Sequence, residues 1–244
     1  MLAVFKKEFK SYFYSPMAYI VIGLFIVVTS FIFCYFFLPQ GDFTPMLDMI
    51  VYLQFLLVPM LTMRLLTEDR KNGTESLLLT SPTKLASIVV GKYLAALAVF
   101  MAMVALSWVY PLVLLGFGGV VTAKLVGGYV GYVLIGAAFI AFGLFASSLT
   151  ENQFIAAVIT IVGLLVIQLA ETLASSIEGF VGKVFDWFSL LARFRIFIRG
   201  VFDIVPIVYL LSFIVLFVFL TVRDREAALE LARPAGRKWL GSSI

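Results

Sequence analysis

The 244-residue chain is 63% hydrophobic and 13% charged, with a mean hydropathy of +1.10, where a soluble domain carries about 45–50% apolar and about 25% charged residues. No soluble fold of this length hides so much Phe, Leu, Ile and Val, so lipid must cover the excess. The net charge is a modest +4, the absence of His removes the commonest general base and neutral metal ligand, and the one cysteine, Cys34, has no partner for an intrachain disulfide.

Residues 1–15 come first. In LAVFKKEFKSYFY, Leu2, Phe5, Phe9 and Phe13 recur at three- to four-residue spacing while Lys6, Lys7 and Lys10 occupy other faces. That pattern predicts an amphipathic helix at the lipid boundary, before Pro16 turns the chain into the bilayer. A plain anchor is the simpler reading of it; reception of a partner protein is the alternative.

A run of about 20 apolar residues spans the ~30 Å hydrocarbon layer. Six runs are predicted as spans, at about 17–38, 46–66, 88–115, 128–148, 154–170 and 206–222. The third is long enough to tilt or to contain an interfacial turn, and the fifth and sixth are short. The expected fold class is therefore an all-α polytopic membrane protein, a single domain over 1–244.

Lys and Arg set the orientation. With the N-terminus inside, 13 of the 18 basic residues fall on the cytoplasmic side, among them Arg64, Arg70, Lys71, Lys84 and Lys92, and Lys124, Lys183, Arg193, Arg195 and Arg199 fall outside. Six spans then put both termini, including the tail 223–244, in the cytoplasm. The positive charge reflects this bias and not nucleic-acid binding.

Between the second and third spans, the cytoplasmic loop 67–87 opens with the polar string TEDRKNGTESLLLTSPTK. Gly73 interrupts the preceding turn, Thr74 can cap a helix, Glu75 suits its positive end and Pro82 stops it. A capped helix of about two turns cannot bury Leu77, Leu78 and Leu79 in the membrane, so an apolar face meets something else in the cytoplasm or rests on headgroups.

The fourth span is rich in small residues. Gly127 and Gly131 form a G-x-x-x-G pair, and Gly136 and Gly143 follow. Such residues let helices approach closely in lipid, within one bundle or at a dimer seam. Residues 171–205 are too polar to span yet carry Phe185, Trp187, Phe188, Phe194 and Phe197, which predicts two short helices on or in the outer leaflet. Arg193, Arg195 and Arg199 would sit there at headgroup level, snorkelling to lipid phosphate or guiding an exported substrate. Asp48, Arg64 and Glu171 lie within about a turn of a span end, where an ionisable group costs little, so they do not make an ion-coupling path.

Gly91-Lys92 and Gly182-Lys183 are followed by Tyr93 and Val184, so neither completes a phosphate-binding loop, and this chain does not hydrolyse ATP by that route. No catalytic or metal-binding constellation is expected.

Four strings, KKEFKSYFYSPMAYIV, MRLLTEDRKNGTESLLLTSPTKLASIVVGKYLAAL, GGYVGYVLIGAAFIAFGLFASSLTENQ and FRIFIRGVFDIVPIVYLLS, resemble in the same order the permease subunits of ABC-2-type transporters. The gliding-motility (GldF-like) permeases are the nearest likeness and the copper-enzyme maturation permeases a more distant one. The resemblance implies a homodimer or heterodimer of six-span subunits in a bacterial or archaeal inner membrane. Beneath it would lie cytoplasmic ABC ATPase subunits that hold the ATP and magnesium, and an accessory extracytoplasmic subunit is allowed. It also implies that residues 1–15 are the elbow helix, that 171–205 holds the outer re-entrant helices, and that ATPase coupling falls to Glu68, Asp69, Gly73, Thr74, Glu75, Leu77, Leu78, Ser81 and Pro82. The chain departs from the family at Ile204-Val205-Pro206, where an acidic residue is frequent.

Two readings from other classes stand beside this one. A stand-alone secondary transporter should show inverted repeats and Gly/Pro-broken spans, and no repeat is visible. A membrane anchor or scaffold needs only the amphipathic segments. No residue names a transported substrate.

Overall fold

The computed structural model describes residues 2–37, 44–71, 85–116, 123–176, 189–201 and 203–232. Every regular element among them is helical: α1 (Leu2–Tyr14), α2 (Pro16–Ile32), α3 (Thr44–Thr62), α4 (Thr67–Lys71), α5 (Leu85–Ser107), α6 (Val109–Gly116), α7 (Ala123–Ser148), α8 (Gln153–Ser176), α9 (Leu190–Ile198) and α10 (Ile204–Ala232). A π-helical turn, Phe33–Phe37, continues α2.

Five of these segments are long and apolar enough to cross a membrane: Pro16–Tyr35, Met46–Asp69, Leu85–Gly116, Lys124–Ser148 and Ile204–Ala228. Gln153–Leu169, where the fifth span was expected, is a shorter apolar helix. The chain is thus multi-pass, and in lipid a helix is the one open-ended element that satisfies all its own backbone groups.

The boundaries move for local reasons. Ser15 caps α2 by accepting from Met17 N at 3.3 Å, with Pro16 in the first turn, where its missing N–H costs nothing. The long third span breaks at Trp108 into α5 and α6. The last helix does not stop at 222; it runs on through the charged residues Arg223 to Glu226 as part of a 29-residue rod.

α7 is the hub. Of the residues in its apolar window 72% are buried, against 17% in that of α10, and it packs against α3, α5, α8, α9 and α10. Its small residues explain the closeness. A Cβ on Gly128 would lie 2.6 Å from Leu47 Cδ1, on Gly131 2.8 Å from Phe197 Cβ, on Gly136 2.2 Å from Phe100 Cζ and on Gly143 2.3 Å from Thr62 Oγ1. α7 therefore meets α3, α9 and α5 nearly backbone to side chain.

α9 is drawn onto this hub rather than left among lipid. Leu190, Leu191, Phe194 and Phe197 are buried, Ser189 caps its start by accepting from Ala192 N at 3.1 Å, and Gly200 at φ 79° turns the chain away against Lys124. Of the rest of the expected outer segment 171–205, residues 171–176 continue α8 instead of forming a separate short helix, and 177–188 and 202 lie outside the described residues.

Candidate functional site

Where α3 ends, its last carbonyls lack intrahelical donors, and the negative end of the helix favours a cation. Two side chains from elsewhere in the chain supply what is missing. Tyr12 Oη donates to Leu61 O at 2.8 Å, and Lys92 Nζ donates to Leu65 O at 2.6 Å.

Lys92 is buried, with 2% of the residue exposed. An ammonium has three protons to place, and here each has an acceptor: Leu65 O, Asp69 Oδ2 at 2.8 Å and Glu8 Oε1 at 3.2 Å. These come from the turn after α3, from α4 and from α1, while Lys92 itself is on α5. A single buried charge, which would be very costly alone, is fully partnered and joins four segments.

Arg64 makes a second clamp beside it. Its Nη2 and Nε reach Glu68 Oε2 at 3.0 and 3.2 Å, and its Nη1 donates to Ser15 Oγ at 2.6 Å, the hydroxyl that caps α2. Ser147 Oγ of α7 accepts from Leu66 N at 3.1 Å. The root of the loop that starts at Thr67 is therefore held by α1, α2, α5 and α7 together.

α1 is positioned by its aromatic stripe. Phe5, Phe9 and Phe13 pack against the core, with ring centroids 5.8 Å apart for Phe5–Phe9 and 4.9 Å for Phe9–Phe13, and Tyr12 is buried beside them. Leu2, expected on the same face, is exposed. Burial pushes the Tyr12 phenol well above its ordinary range, and Glu8 adds to this while Arg64 opposes it. Tyr12 thus stays a neutral donor. Tyr12→Phe should cost about 1 kcal/mol, read as a fall of about 2–4 °C in the unfolding temperature of the purified protein.

Of the residues expected to couple to a partner, Glu68 and Asp69 lie in this cluster, on Arg64 and Lys92 respectively. Gly73, Thr74, Glu75, Leu77, Leu78, Ser81 and Pro82 lie outside the described residues. Gly127, Gly131, Gly136 and Gly143 are buried along α7, far along the sequence from the clamp. Lys92 and Glu8 were not singled out by the sequence; the one available signal was a lysine inside an otherwise apolar helix.

The other end of the bundle holds the arginines of α9. Arg195 Nε is 3.9 Å from Asp48 Oδ1 and its Nη2 is 3.3 Å from Tyr52 Oη, while the Arg193 guanidinium lies 5.3 Å from the centre of the Tyr209 ring. Asp48, expected to be a cheap snorkelling charge, is partnered across 147 residues of chain.

The model of one protein family, described as ABC-2 type transporter, matches residues 1–206 of the chain. No curated protein sequence matches it.

Proposed function

Because the chain belongs to the ABC-2 type transporter family, we propose that it is the membrane-spanning subunit of an ATP-driven exporter whose ATPase is a separate chain. In this reading two such subunits, identical or different, pair in the inner membrane of a bacterial or archaeal cell above cytoplasmic ATPase domains that bind ATP and magnesium. The subunit would belong to the gliding-motility (GldF-like) branch and have six spans, with α8 as the fifth and both termini cytoplasmic. α1 is its elbow helix, residues 67–84 its coupling segment and α9 part of its outer re-entrant region.

The observation that favours this reading is the Lys92 clamp. A loop that receives force is useful only if its root is rigidly joined to the helices that must move. Here the first residues of the loop, Glu68 and Asp69, are ion-paired to α3's end and to α5, and Glu8 ties α1 to the same ammonium. Closure of the ATPase dimer would shift α1 and α5 together with the loop. The free energy of that shift must come from contacts that differ between the two states.

Leu77 and Leu78 supply the apolar contact with the ATPase, and Glu68, Asp69 and Glu75 its polar rim. Glu75→Ala and Leu78→Ala, made singly, should each lower substrate-stimulated ATPase activity of the reconstituted complex several-fold while the ATPase chain alone is unaffected. Full stimulation in both variants would remove residues 67–84 from the coupling path.

A further inference from the structure

The two faces of α1 carry opposite charge. Phe5, Phe9, Tyr12 and Phe13 turn inward onto the bundle, and Glu8, the one acidic residue of the helix, turns with them to meet Lys92 Nζ at 3.2 Å. Lys6, Lys7 and Lys10 are left exposed on the other side, and among the described residues none of the three is ion-paired. The other carboxylates of the clamp do not neutralise them, since Asp69 faces Lys92 and Glu68 faces Arg64. Folding therefore sorts the charge of α1: its anion has an internal partner, and its three cations remain outside without one.

The span that follows fixes where this face lies. Ser15, in extended backbone, ends α1, and Pro16 opens α2, the first apolar span. Lys10 is four residues from Tyr14, the last of α1, which is about 6 Å along the helix at ~1.5 Å per residue. It thus stays within roughly a Debye length, ~10 Å at 0.1 M salt, of the start of the span. Lys6, Lys10 and Tyr14 recur every fourth residue on one line of the helix, and Tyr14 is 86% exposed. Tyr19, in the first turn of α2, is 60% exposed. Exposed tyrosines at a span start sit at headgroup depth. A cationic line that runs into two such tyrosines matches a layer with negative charge on its surface and apolar material beneath it.

We propose that the face of α1 carrying Lys6, Lys7 and Lys10 binds the phosphates of anionic phospholipids in the leaflet where α2 enters the bilayer. An acidic protein surface is the poorer occupant: it satisfies the lysines but gives no role to exposed tyrosines at the start of an apolar span. The inference rests on the chain spanning a membrane and not on the ATPase reading.

The test uses the full chain with a fluorophore on Ser11→Cys, an exposed position on α1, in a Cys34→Ser background, reconstituted in phosphatidylcholine vesicles. Quenching is compared for phosphatidylglycerol and phosphatidylcholine probes that carry the same nitroxide near the headgroup end of an acyl chain. Phosphatidylglycerol should be preferred roughly fivefold, the scale of one lysine at a charged surface, and about 1 M KCl should erase the preference. Lys6→Gln/Lys7→Gln/Lys10→Gln should bring the ratio to about one with the unfolding temperature unchanged, and Lys6→Arg/Lys7→Arg/Lys10→Arg should keep the preference. A label on Val27→Cys, exposed in the middle of α2, should show none. Equal preference at Ser11→Cys and Val27→Cys would overturn the proposal, because the anionic lipid would then surround the whole chain. A ratio of one in the parent, or one that the glutamine variant leaves intact, would also overturn it and assign the lysines to an acidic protein surface instead.

Discussion

Lys92→Met is expected to destabilise the protein by roughly 2–4 kcal/mol, since removing one member of a buried ion cluster strands the rest, and to lower its unfolding temperature by about 5–15 °C. Three acceptors lose their donor at once. Leu65 O in the turn after α3 loses the Lys92 donor, and Asp69 and Glu8 are left without the ammonium between them. The two carboxylates are partly exposed and can relax toward water, which holds the loss below that of a fully buried triad. Lys92→Arg should recover only part of the loss, because a planar fork cannot point at three acceptors arranged around a single nitrogen. Lys10→Met, on the exposed face of α1, should stay within about 0.5 kcal/mol of the parent. If Lys92→Met melts with Lys10→Met, the ammonium does not hold the four segments together. Asp69→Asn, at the shorter contact, should cost more than Glu8→Gln, and the two should be non-additive because they share a partner.

The spans were legible because lipid imposes a length on them. Twenty apolar residues have few alternatives in a chain this greasy, so α2, α3, α5, α7 and α10 fall where the runs fall. Their ends were less legible, for reasons that lie outside hydropathy. Ser15 and Pro16 start α2 through backbone capping. Past 222, α10 continues through Arg223 and Glu226, which pair at 3.4 Å on one helical face, so loss of hydropathy ends the apolar stretch without ending the helix.

The clamp was much less visible. Lys92 sits seven residues into α5, and a lysine near the end of an apolar run reads as one that snorkels to the headgroups. What makes it a buried centre is the arrival of Glu8 and Asp69, 84 and 23 residues away, and no local periodicity announces that meeting. Glu8 lies in α1 between Lys7 and Phe9, where the aromatic stripe directs attention to lipid. The structure turns that stripe inward, Phe5, Phe9 and Phe13 onto the core, and it is this turn that brings Glu8 over Lys92. The Asp48–Arg195 pair has the same character: both charges are visible in the sequence, and their proximity is a property of the fold alone.

The small residues of α7 allow the second large effect to be stated in both directions. Phe100 of α5 is 1% exposed and its ring edge rests on Gly136, so that a Cβ there would lie 2.2, 2.5 and 3.0 Å from Cζ, Cε1 and Cε2. The ring is also confined by Tyr132, with centroids 5.7 Å apart, so it has little freedom to withdraw. Gly136→Ala should therefore cost about 1–3 kcal/mol by overpacking, and Gly136→Leu should largely prevent recovery of folded protein. Phe100→Ala removes the obstacle but leaves a cavity, at a cost of about 3–5 kcal/mol. Because one substitution adds volume where the other removes it, Phe100→Ala/Gly136→Leu should be recovered far better than Gly136→Leu alone, measured as the monodisperse fraction in detergent and its unfolding temperature. Additive losses in that pair would mean that α5 and α7 do not meet at this point, and the central position of α7 would have to be revised. Gly143 offers the same comparison against α3. There the opposing group is Thr62, whose hydroxyl donates to Val58 O at 2.9 Å one turn back, so Gly143→Ala displaces a hydrogen-bonded side chain as well as filling space. The helix it would disturb is the one whose end carries the Lys92 clamp, so crowding at Gly143 should reach the loop root at Thr67 even though the substitution lies on another helix.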